Sequence, residues 1–280
     1  MKIKVAAIQC SFSDHEEENV LKITSLLKEA ASQGAQIILP PELFQGYYFC
    51  RHEDEKFFAR AKSVSESAIL RHFSSLAASL NVAIPVSFFE KDGPNYFNSL
   101  CMMDADGKNL GLYRKTHIPD GPGYEEKFYF KPGNTGFKVW STRYAKVGVG
   151  ICWDQWFPEC ARSMVLKGAQ ILFYPTAIGS EPNNPGLDTR QPWRRAMIGH
   201  AVSNCTAVVA ANRIGVEEGQ SFYGNSFIAD HQGNLIKEFG DKEEGFLISE
   251  IDLEHQARYQ ASFGFFRDRR PELYEEIVKF

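Results

Sequence analysis

Three side chains that could together support nucleophilic attack on a carbonyl carbon lie at the ends of predicted strands. Glu42 follows the second predicted strand, Lys115 ends a predicted hairpin, and Cys152 follows the short apolar run Val147–Ile151. Strand ends on one edge of a sheet converge on one site, so we expect these side chains to meet. A thiol becomes a nucleophile when a neighbour takes its proton or stabilises its thiolate, and Glu42 and Lys115 could divide those tasks. The lysine could also stabilise the oxyanion of a tetrahedral intermediate.

Other interpretations of the thiol stay open. Cysteine is among the residue types most often buried, so Cys152 could be purely structural. Histidine is the usual partner of a catalytic cysteine, and His117 and His200 are the best placed of the seven histidines. Neither is flanked in the sequence by an obvious orienting carboxylate. The sequence therefore favours the glutamate, lysine and cysteine set over a cysteine–histidine pair.

The segment around the cysteine predicts a strand that turns directly into a helix. The run Val147–Ile151 is short and apolar on both faces, which is typical of a central strand covered on both sides. Gly148 and Gly150 would weaken such a strand unless another group approaches the backbone there. Pro158 suits the first turn of a helix that continues through Cys160–Lys167.

The first half of the chain alternates predicted strands and helices. The predicted strands are Lys2–Cys10, Ala35–Leu39, Val82–Phe89, Tyr96–Met103 and Leu110–Lys115, and the predicted helices are Glu16–Ser32 and Ser65–Leu80. The loop 116–135 is rich in glycine, proline and aromatic residues. Loops of this length are usually functional or disordered, and the aromatic content favours a functional loop.

The second half repeats the first. GAQIILP at 34–40 returns as GAQILFYP at 168–175, and NSLCMMDADGKNL at 98–110 returns as NSFIADHQGNL at 225–235. Generic alternation of strands and helices could produce such echoes, but the matched tetrapeptide favours a true duplication. Two such units could bury their bare sheet faces against each other, which predicts an α/β fold of the four-layer α-β-β-α sandwich type. We expect one domain over 1–280, with a core of about 1–254 and a C-terminal arm, 255–280, that packs on a partner subunit.

Composition excludes several classes of function. The chain has 280 residues and a formal net charge of −4, with no strongly basic region, which argues against nucleic acid as a partner. MKIKVAAIQC enters a strand pattern without the apolar segment of a signal peptide, and no apolar run approaches the roughly 18 residues of a membrane span. Six scattered cysteines without a CxxC pair predict reduced thiols, no metal site and a cytoplasmic protein.

Three segments resemble the signature motifs of the nitrilase superfamily of carbon–nitrogen hydrolases. They are PPELF at 40–44, RKTHIPD at 114–120 and GICWDQWFPE at 150–159, and they occur in that family's order. The resemblance implies the α-β-β-α sandwich, with Glu42 as general base, Lys115 as the oxyanion-stabilising lysine and Cys152 as nucleophile. It also implies that the backbone N–H of Trp153 completes the oxyanion hole and that no metal or organic cofactor is needed.

The same family has a second glutamate in the loop after the lysine. Both Glu125 and Glu126 are candidates in the segment DGPGYEEKFYFKPGN, and the spacing to 130–133 favours Glu126.

Within the superfamily, three further segments look most like the N-carbamoylputrescine amidases of polyamine synthesis. They are GYYFCR at 46–51, HIPDGPGYEEKFYFKPGNTGF at 117–137 and PTAIGSEP at 175–182. Such a substrate ends in an ammonium group, and burying that group without a carboxylate is costly. Glu181, or Asp188, could supply the carboxylate. Tyr48, Tyr124 and Trp153 could line the methylene chain.

Related activities stay open. Another amidase of the family could act on β-ureido acids, N-carbamoyl-D-amino acids or ω-amides, and a nitrilase would use the same catalytic set. An acidic substrate would need an arginine or lysine where Glu181 stands. A non-enzymatic binding or assembly module of the same fold would have no reason to keep Glu42, Lys115 and Cys152. The resemblance also implies a homo-oligomer built from dimers.

Overall fold

The computed structural model describes residues 1–279, whose backbone forms two mixed β-sheets with helices outside them. The strands, in chain order, are β1 (Lys2–Gln9), β2 (Ile37–Leu39), β3 (Ile84–Asp92), β4 (Asn95–Met103), β5 (Asn109–Arg114), β6 (Val139–Ser141), β7 (Lys146–Val149), β8 (Ile171–Thr176), β9 (Ala207–Asn212), β10 (Ile214–Glu217), β11 (Gln220–Tyr223), β12 (Phe227–Ala229), β13 (Leu235–Glu238) and β14 (Gly245–Asp252). The helices are α1 (Glu16–Ser32), α2 (Ala68–Leu80), α3 (Glu126–Tyr129), α4 (Pro158–Leu166), α5 (Arg190–Asn204) and α6 (Leu253–Phe263).

The first sheet has the strand order β14-β1-β2, continued by β3-β4-β5. Strand β1 is parallel to β2 and antiparallel to β14, whereas β3, β4 and β5 are antiparallel to one another. A short parallel bridge joins the two parts. Ala83, just before β3, pairs with Ile37, and the N–H of Ile38 donates to the carbonyl oxygen of Ala83 at 3.0 Å.

The second sheet has the order β13-β12-β9-β8-β7-β6, and β10 pairs with β11 in a separate hairpin. Strands β7, β8 and β9 are parallel, and β6, β12 and β13 run antiparallel to their neighbours. This order matches the first sheet strand for strand, with β7 in the place of β1 and β6 in the place of β14. The predicted duplication is confirmed.

The two sheets pack face to face over a common apolar core. Its members include Val5, Leu39, Leu100, Val147, Phe173 and Val209. Helices α1 and α2 cover the outer face of the first sheet through Ile23, Leu27 and Phe73. Helices α4 and α5 cover the second through Met164 and Trp193. The predicted four-layer α-β-β-α sandwich is therefore confirmed.

Three predicted elements begin later than their sequence patterns indicate, and β3 is one of them, at Ile84 where the pattern indicates Val82. Helix α2 begins at Ala68, because the hydroxyl of Ser67 accepts a hydrogen bond from the N–H of Leu70 at 3.2 Å and caps the helix there. Strand β2 begins at Ile37, because Ala35 still bonds back to α1, its N–H donating to the Ala30 carbonyl at 3.1 Å. Helix α1 has the predicted bounds.

The glycines near the cysteine strand lie where other groups approach the backbone. A Cβ atom on Gly148 would lie 2.8 Å from the sulfur and 2.9 Å from the Cβ of Met164, and one on Gly150 would lie 3.0 Å from the ring of Tyr174. The prediction of a close approach is confirmed. Pro158 is the first residue of α4, also as predicted.

The chain after β14 leaves the sandwich through α6 and then forms short 3₁₀ turns at Pro271–Leu273 and Glu275–Val278. Several apolar side chains in this region are exposed: Phe263, Phe265, Leu273, Ile277 and Val278. The packing of this segment on a partner subunit stays a prediction. Within residues 1–279, no helix combines the length and apolar character that a bilayer crossing requires.

The close approach at Gly148 gives a stability test. In Gly148→Ala, the new methyl group would meet the Cβ of Met164, which belongs to α4 and cannot simply rotate away. We expect this overpacking to lower the free energy of unfolding by about 1–3 kcal/mol, measured by denaturant titration. The matched control is Gly199→Ala in α5, where nothing lies within 4 Å of the new atom. It should stabilise the helix by about 0.5–1 kcal/mol, and equal effects of the two variants would contradict the packing argument.

Candidate active site

Glu42 lies in the turn after β2, and its carboxylate is fully buried. The next residue, Leu43, has a left-handed backbone with φ 45°, a conformation that costs a non-glycine residue about 1–3 kcal/mol and needs support. Arg213 supplies it, because its Nη2 donates to the carbonyl oxygens of Glu42 and Leu43 at 2.8 and 3.0 Å. The hydroxyl of Ser87 also accepts from the N–H of Leu43 at 3.1 Å. The turn that carries Glu42 is thus held by both halves of the chain.

A buried ion pair keeps this support in place. Nη1 of Arg213 lies 2.8 Å from Oε1 of Glu217, and the two side chains are 0% and 1% exposed. The same Nη1 donates to the carbonyl of Gly46 at 3.1 Å, and Oε2 of Glu217 accepts from the N–H of Tyr48 at 2.6 Å. The pair therefore fixes both ends of the segment 42–48.

Lys115 directly follows β5, and backbone contacts on both sides hold it there. Its N–H donates to the carbonyl of Asn98 at 2.8 Å, and its carbonyl accepts from the N–H of Gly133 at 2.8 Å. A Cβ atom on Gly133 would lie 2.1 Å from the carbonyl oxygen of Arg114, so only glycine fits at that position. The loop predicted to be functional thus closes over the lysine.

Cys152 sits at the turn between β7 and α4 with a left-handed backbone, φ 43°. Such a conformation at a non-glycine residue is a strained one that functional sites often retain. The side chain of Asp154 accepts from the N–H of Ile151 at 2.9 Å, and the N–H of Asp154 donates back to the Ile151 carbonyl at 3.0 Å. The Cys152 thiol contacts the carbonyl of Ala177 at 3.9 Å.

The ammonium group of Lys115 joins the two buried glutamates. Its Nζ lies 3.0 Å from Oε1 of Glu42 and 2.7 Å from both carboxylate oxygens of Glu126, and all three side chains are 0% exposed. Tyr48 donates to Oε1 of Glu126 at 2.6 Å, and Asn98 donates to Oε1 of Glu42 at 2.7 Å. Within residues 1–279, Oε2 of Glu42 has no hydrogen-bond partner. One oxygen of Glu42 is held and the other is free.

Burial and charge set the protonation of the cluster. Burial raises the pKa of Cys152 well above its ordinary value, the charge of Glu42 raises it further, and Lys115 opposes both. Burial alone would lower the pKa of Lys115, but the charges of Glu126 and Glu42 outweigh it and raise the pKa. Burial raises the pKa of Glu126 to about 7, although Lys115 pulls it down. The resting thiol is therefore protonated and needs a base before it can attack.

The family model for carbon–nitrogen hydrolases matches residues 4–261. The chain belongs to this family. It is 53% identical to an N-carbamoylputrescine amidase of Oryza sativa, over 99% of this chain and 95% of the relative. It is 52% identical to a citrullinase of Francisella tularensis, over 99% of this chain and 98% of the relative. A crystal structure of a carbon–nitrogen hydrolase from Helicobacter pylori superposes with a TM-score of 0.93 at 36% identity, covering 100% of this chain and 99% of the other.

In this carbon–nitrogen hydrolase, the structure brings four of the residues singled out in the sequence into one buried cluster. Glu42, Lys115 and Glu126 are in direct contact, and all three charges act on the thiol of Cys152. Of the two adjacent glutamates after the lysine, Glu126 points into the cluster and Glu125 remains partly exposed. The catalytic roles of these residues stay predictions.

The histidines that the sequence leaves open occupy other positions. His117 does have an orienting carboxylate, Oδ1 of Asp154 at 2.7 Å from its Nδ1, although the two residues are 37 apart in the chain. Its ring stacks on Phe157 with centroids 3.6 Å apart. His200 contacts the carbonyl of Gln155 at 2.8 Å. The charged groups that act on Cys152 are carboxylates and the lysine. We therefore still favour the glutamate and lysine set over a cysteine–histidine pair.

The expected aromatic lining of the pocket divides into two groups. Tyr48 is fully buried behind Glu126, so it supports the cluster and its ring does not form the open wall expected from the sequence. Trp153 is 39% exposed and packs edge-on against Trp156. Tyr124 accepts from the N–H of Gly179 at 2.9 Å, which ties the loop after Lys115 to the loop after β8.

Glu181 lies in the loop between β8 and α5. The charges of Glu181 and Cys152 both raise the pKa values of Tyr124 and Tyr223, after the larger effect of burial, so both groups lie close enough to these tyrosines to act on them. Glu181 is partly buried, and burial raises its pKa. Asp188 lies exposed at the start of α5, where its carboxylate is paired with Arg190 at 2.7 Å. The role of either carboxylate in substrate binding stays a prediction.

Sequence reasoning missed several groups that hold the cluster. Asn98 belongs to one of the repeated Asn-Ser pairs, which could have identified it. No sequence feature pointed to Tyr223. Arg213 follows a buried strand in the second half, the same placement that identified Glu42. Within residues 1–279, no group of three or more potential metal ligands occurs.

The Arg213–Glu217 pair gives a second stability test. In Arg213→Met, Glu217 would keep a buried charge without its partner. We expect the free energy of unfolding to fall by about 3–5 kcal/mol in a denaturant titration. Arg213→Met combined with Glu217→Gln should recover part of the loss, because no uncompensated charge remains. The exposed pair between Lys2 and Glu250 is the control, and Lys2→Met should leave stability unchanged. A double variant no more stable than Arg213→Met would contradict the charge argument.

Proposed function

We propose that this hydrolase cleaves the ureido group of N-carbamoylputrescine to putrescine, carbon dioxide and ammonia. The observation that carries the proposal is the partly buried Glu181, which within residues 1–279 forms no ion pair. Its charge and that of Cys152 both raise the pKa values of Tyr124 and Tyr223, which supports the placement of Glu181 and the thiol around one pocket. A substrate with a ureido group at one end and an ammonium at the other fits a site with a nucleophile at one end and a carboxylate at the other. The Oryza sativa relative supports the same substrate.

The first half of the proposed reaction uses the free oxygen of Glu42. Oε2 of Glu42 takes the proton of Cys152 as the sulfur attacks the carbamoyl carbon, and Lys115 and the backbone N–H of Trp153 stabilise the oxyanion. All three ammonium hydrogens of Lys115 have acceptors in the free protein, so the oxyanion must displace one. Glu126 accepts two of these bonds and can release one without losing the lysine.

The second half reverses the proton transfer. Glu42 returns the proton to the leaving nitrogen, the carbon–nitrogen bond breaks and ammonia departs, which leaves the carbamoyl group as a thioester-like adduct on the sulfur. Water then gives a proton to Glu42 and attacks this carbon, the carbon–sulfur bond breaks, and Glu42 passes its proton to the leaving sulfur, which restores both the thiol and the carboxylate. The resulting carbamic acid separates into putrescine and carbon dioxide. The raised pKa of Cys152 supports the need for this base, because the resting thiol holds its proton.

Citrulline is the competing substrate, since a citrullinase is 52% identical. Citrulline carries a carboxylate beside its ammonium and would need a cation at the wall that holds Glu181. Arg190 lies close enough to Tyr223 for each to act on the other's charge, but its guanidinium is already paired with Asp188 at 2.7 Å and lies 3.9 Å from Asp241. Because that guanidinium is already paired, the unpaired carboxylate of Glu181 favours a cationic end group over a zwitterionic one.

The Glu181 proposal predicts a change in substrate affinity. In Glu181→Gln, KM for N-carbamoylputrescine should rise about ten- to a hundredfold, because a charge-assisted hydrogen bond contributes about 1.5–3 kcal/mol. Ammonia release under initial-rate conditions measures it. Asp188→Asn is the matched control and should leave KM within about twofold, because that carboxylate is exposed and paired with Arg190.

Assays of ammonia release from citrulline and N-carbamoyl-β-alanine, in parallel with N-carbamoylputrescine, decide between the alternatives. We expect the cationic substrate to have the highest kcat/KM. A higher value for either of the others, or an unchanged KM in Glu181→Gln, would refute the assignment of Glu181. Cys152→Ala is the negative control and should release no ammonia.

The buried Glu126 predicts a pH dependence. Its pKa is raised to about 7, so below that pH it gains a proton and Lys115 loses one of its two anionic partners. We expect kcat/KM to fall as the pH falls through about 7. Glu126→Gln has no proton to gain and should flatten this limb at a lower overall rate. Glu125→Gln should keep the limb, because that side chain lies outside the cluster. If kcat/KM of Glu126→Gln still falls below about pH 7, the titrating group is not Glu126.

We also propose a cytoplasmic homo-oligomer built from dimers, with no nucleic-acid partner. All six cysteines are free thiols, which is typical of a reducing compartment, and the net charge of −4 disfavours polyanions. Residues 1–280 would form one domain with a core of about 1–254. The exposed apolar side chains between Phe263 and Val278 support a role for 255–280 as an arm on a partner subunit.

A further inference from the structure

We propose that Asp154 is a positioning residue that fixes the thiol of Cys152 relative to the ammonium of Lys115. The inference rests on the proposed roles of those two residues. Asp154 is fully buried and has no part in the reaction steps given above. Its carboxylate nevertheless contacts the segments that carry both groups.

The carboxylate accepts four hydrogen bonds. Oδ2 accepts from the N–H of Ile151 at 2.9 Å and from the hydroxyl of Tyr113 at 2.7 Å. Oδ1 contacts His117 twice, accepting from its backbone N–H at 3.0 Å and lying 2.7 Å from its Nδ1, which then carries the hydrogen. Four donors match the roughly four lone-pair positions of an ionised carboxylate, so its accepting capacity is filled.

The donors bracket the two reactive groups. Tyr113 lies two residues before Lys115, and His117 lies two residues after it. Ile151 lies immediately before Cys152. One side chain therefore joins the end of β5 and its following loop to the turn after β7. A shift of either segment would stretch bonds to the same carboxylate, so the separation of thiol and ammonium is set by Asp154.

Neither close relative of aspartate fits this position. Asparagine would offer an amide nitrogen with two hydrogens to groups that are themselves donors, leaving at least one N–H unpaired in a buried site. Glutamate would move its carboxylate one methylene group farther from the backbone, so it could not accept the same four bonds at these distances. The ring of His117 is also held on its other side by stacking on Phe157.

The test compares Asp154→Asn with wild type in ammonia release from N-carbamoylputrescine. Loss of positioning should lower kcat at least tenfold and leave KM within threefold, because substrate binding does not involve Asp154. Asp230→Asn is the matched control, since Asp230 also accepts two backbone N–H bonds, at 2.8 and 2.9 Å, but in the turn between β12 and β13. It should leave kcat unchanged. A folded Asp154→Asn protein with kcat within twofold of wild type, or with a change in KM alone, would overturn the inference.

Two milder variants cover the case in which Asp154→Asn does not fold. Tyr113→Phe and His117→Ala each remove only part of the network, and each should lower kcat by a smaller factor at constant KM. Wild-type kcat in both would overturn the inference.

A substrate-independent readout separates this inference from the proposed function. If the wild type releases no ammonia from N-carbamoylputrescine, the rate at which iodoacetamide alkylates Cys152 replaces kcat, with the modified cysteine located by fragment mass spectrometry. That reaction needs only the activated thiol. Slower alkylation in Asp154→Asn than in wild type supports the positioning role, and equal rates overturn it.

Discussion

The site depends on an ammonium group buried between two carboxylates. Lys115, Glu42 and Glu126 lie out of contact with water, and each would be costly to bury alone. Together they satisfy one another and leave one negative charge in excess, beside a thiol whose burial opposes ionisation. The surrounding polar groups follow from this constraint: Tyr48 and Asn98 donate to the carboxylates, and within residues 1–279 Oε2 of Glu42 has no hydrogen-bond partner.

Most of the backbone near the site can be understood as support for that cluster. The three chain segments that carry it leave strands of both sheets, and two of them pass through left-handed turns at Leu43 and Cys152. Strained turns persist only where neighbours hold them. Arg213 holds the first from β9 and its following turn, and Asp154 holds the second. The scaffold therefore keeps the reacting groups in place before any substrate arrives, which lowers the reorganisation needed for reaction.

The sequence predicted the sandwich and the cluster because both leave local signals. Repeated segments mark the duplication, and an ionisable residue after a buried strand marks a strand end. The sequence did not predict that Tyr48 supports Glu126, because the two are 78 residues apart, or that Asp154 orients His117 across 37 residues. Such contacts depend on how loops from different elements meet. The exposure of Asp188 and its pairing with Arg190, which distinguish it from Glu181, are likewise not encoded in the spacing.

The two halves of the duplicated scaffold carry different residues at equivalent positions. By the matched segments, Cys10 stands in the first half where Cys152 stands in the second, and Thr176 stands in the second half where Glu42 stands in the first. Burial raises the pKa of Cys10 to about 12, and Thr176 donates its hydroxyl hydrogen to Gln155. The position equivalent to Cys152 thus keeps a buried thiol, whereas the position equivalent to Glu42 carries a hydroxyl group. The cluster draws Glu42, Lys115 and Glu126 from the first half and Cys152 from the second, so neither half contains all four groups.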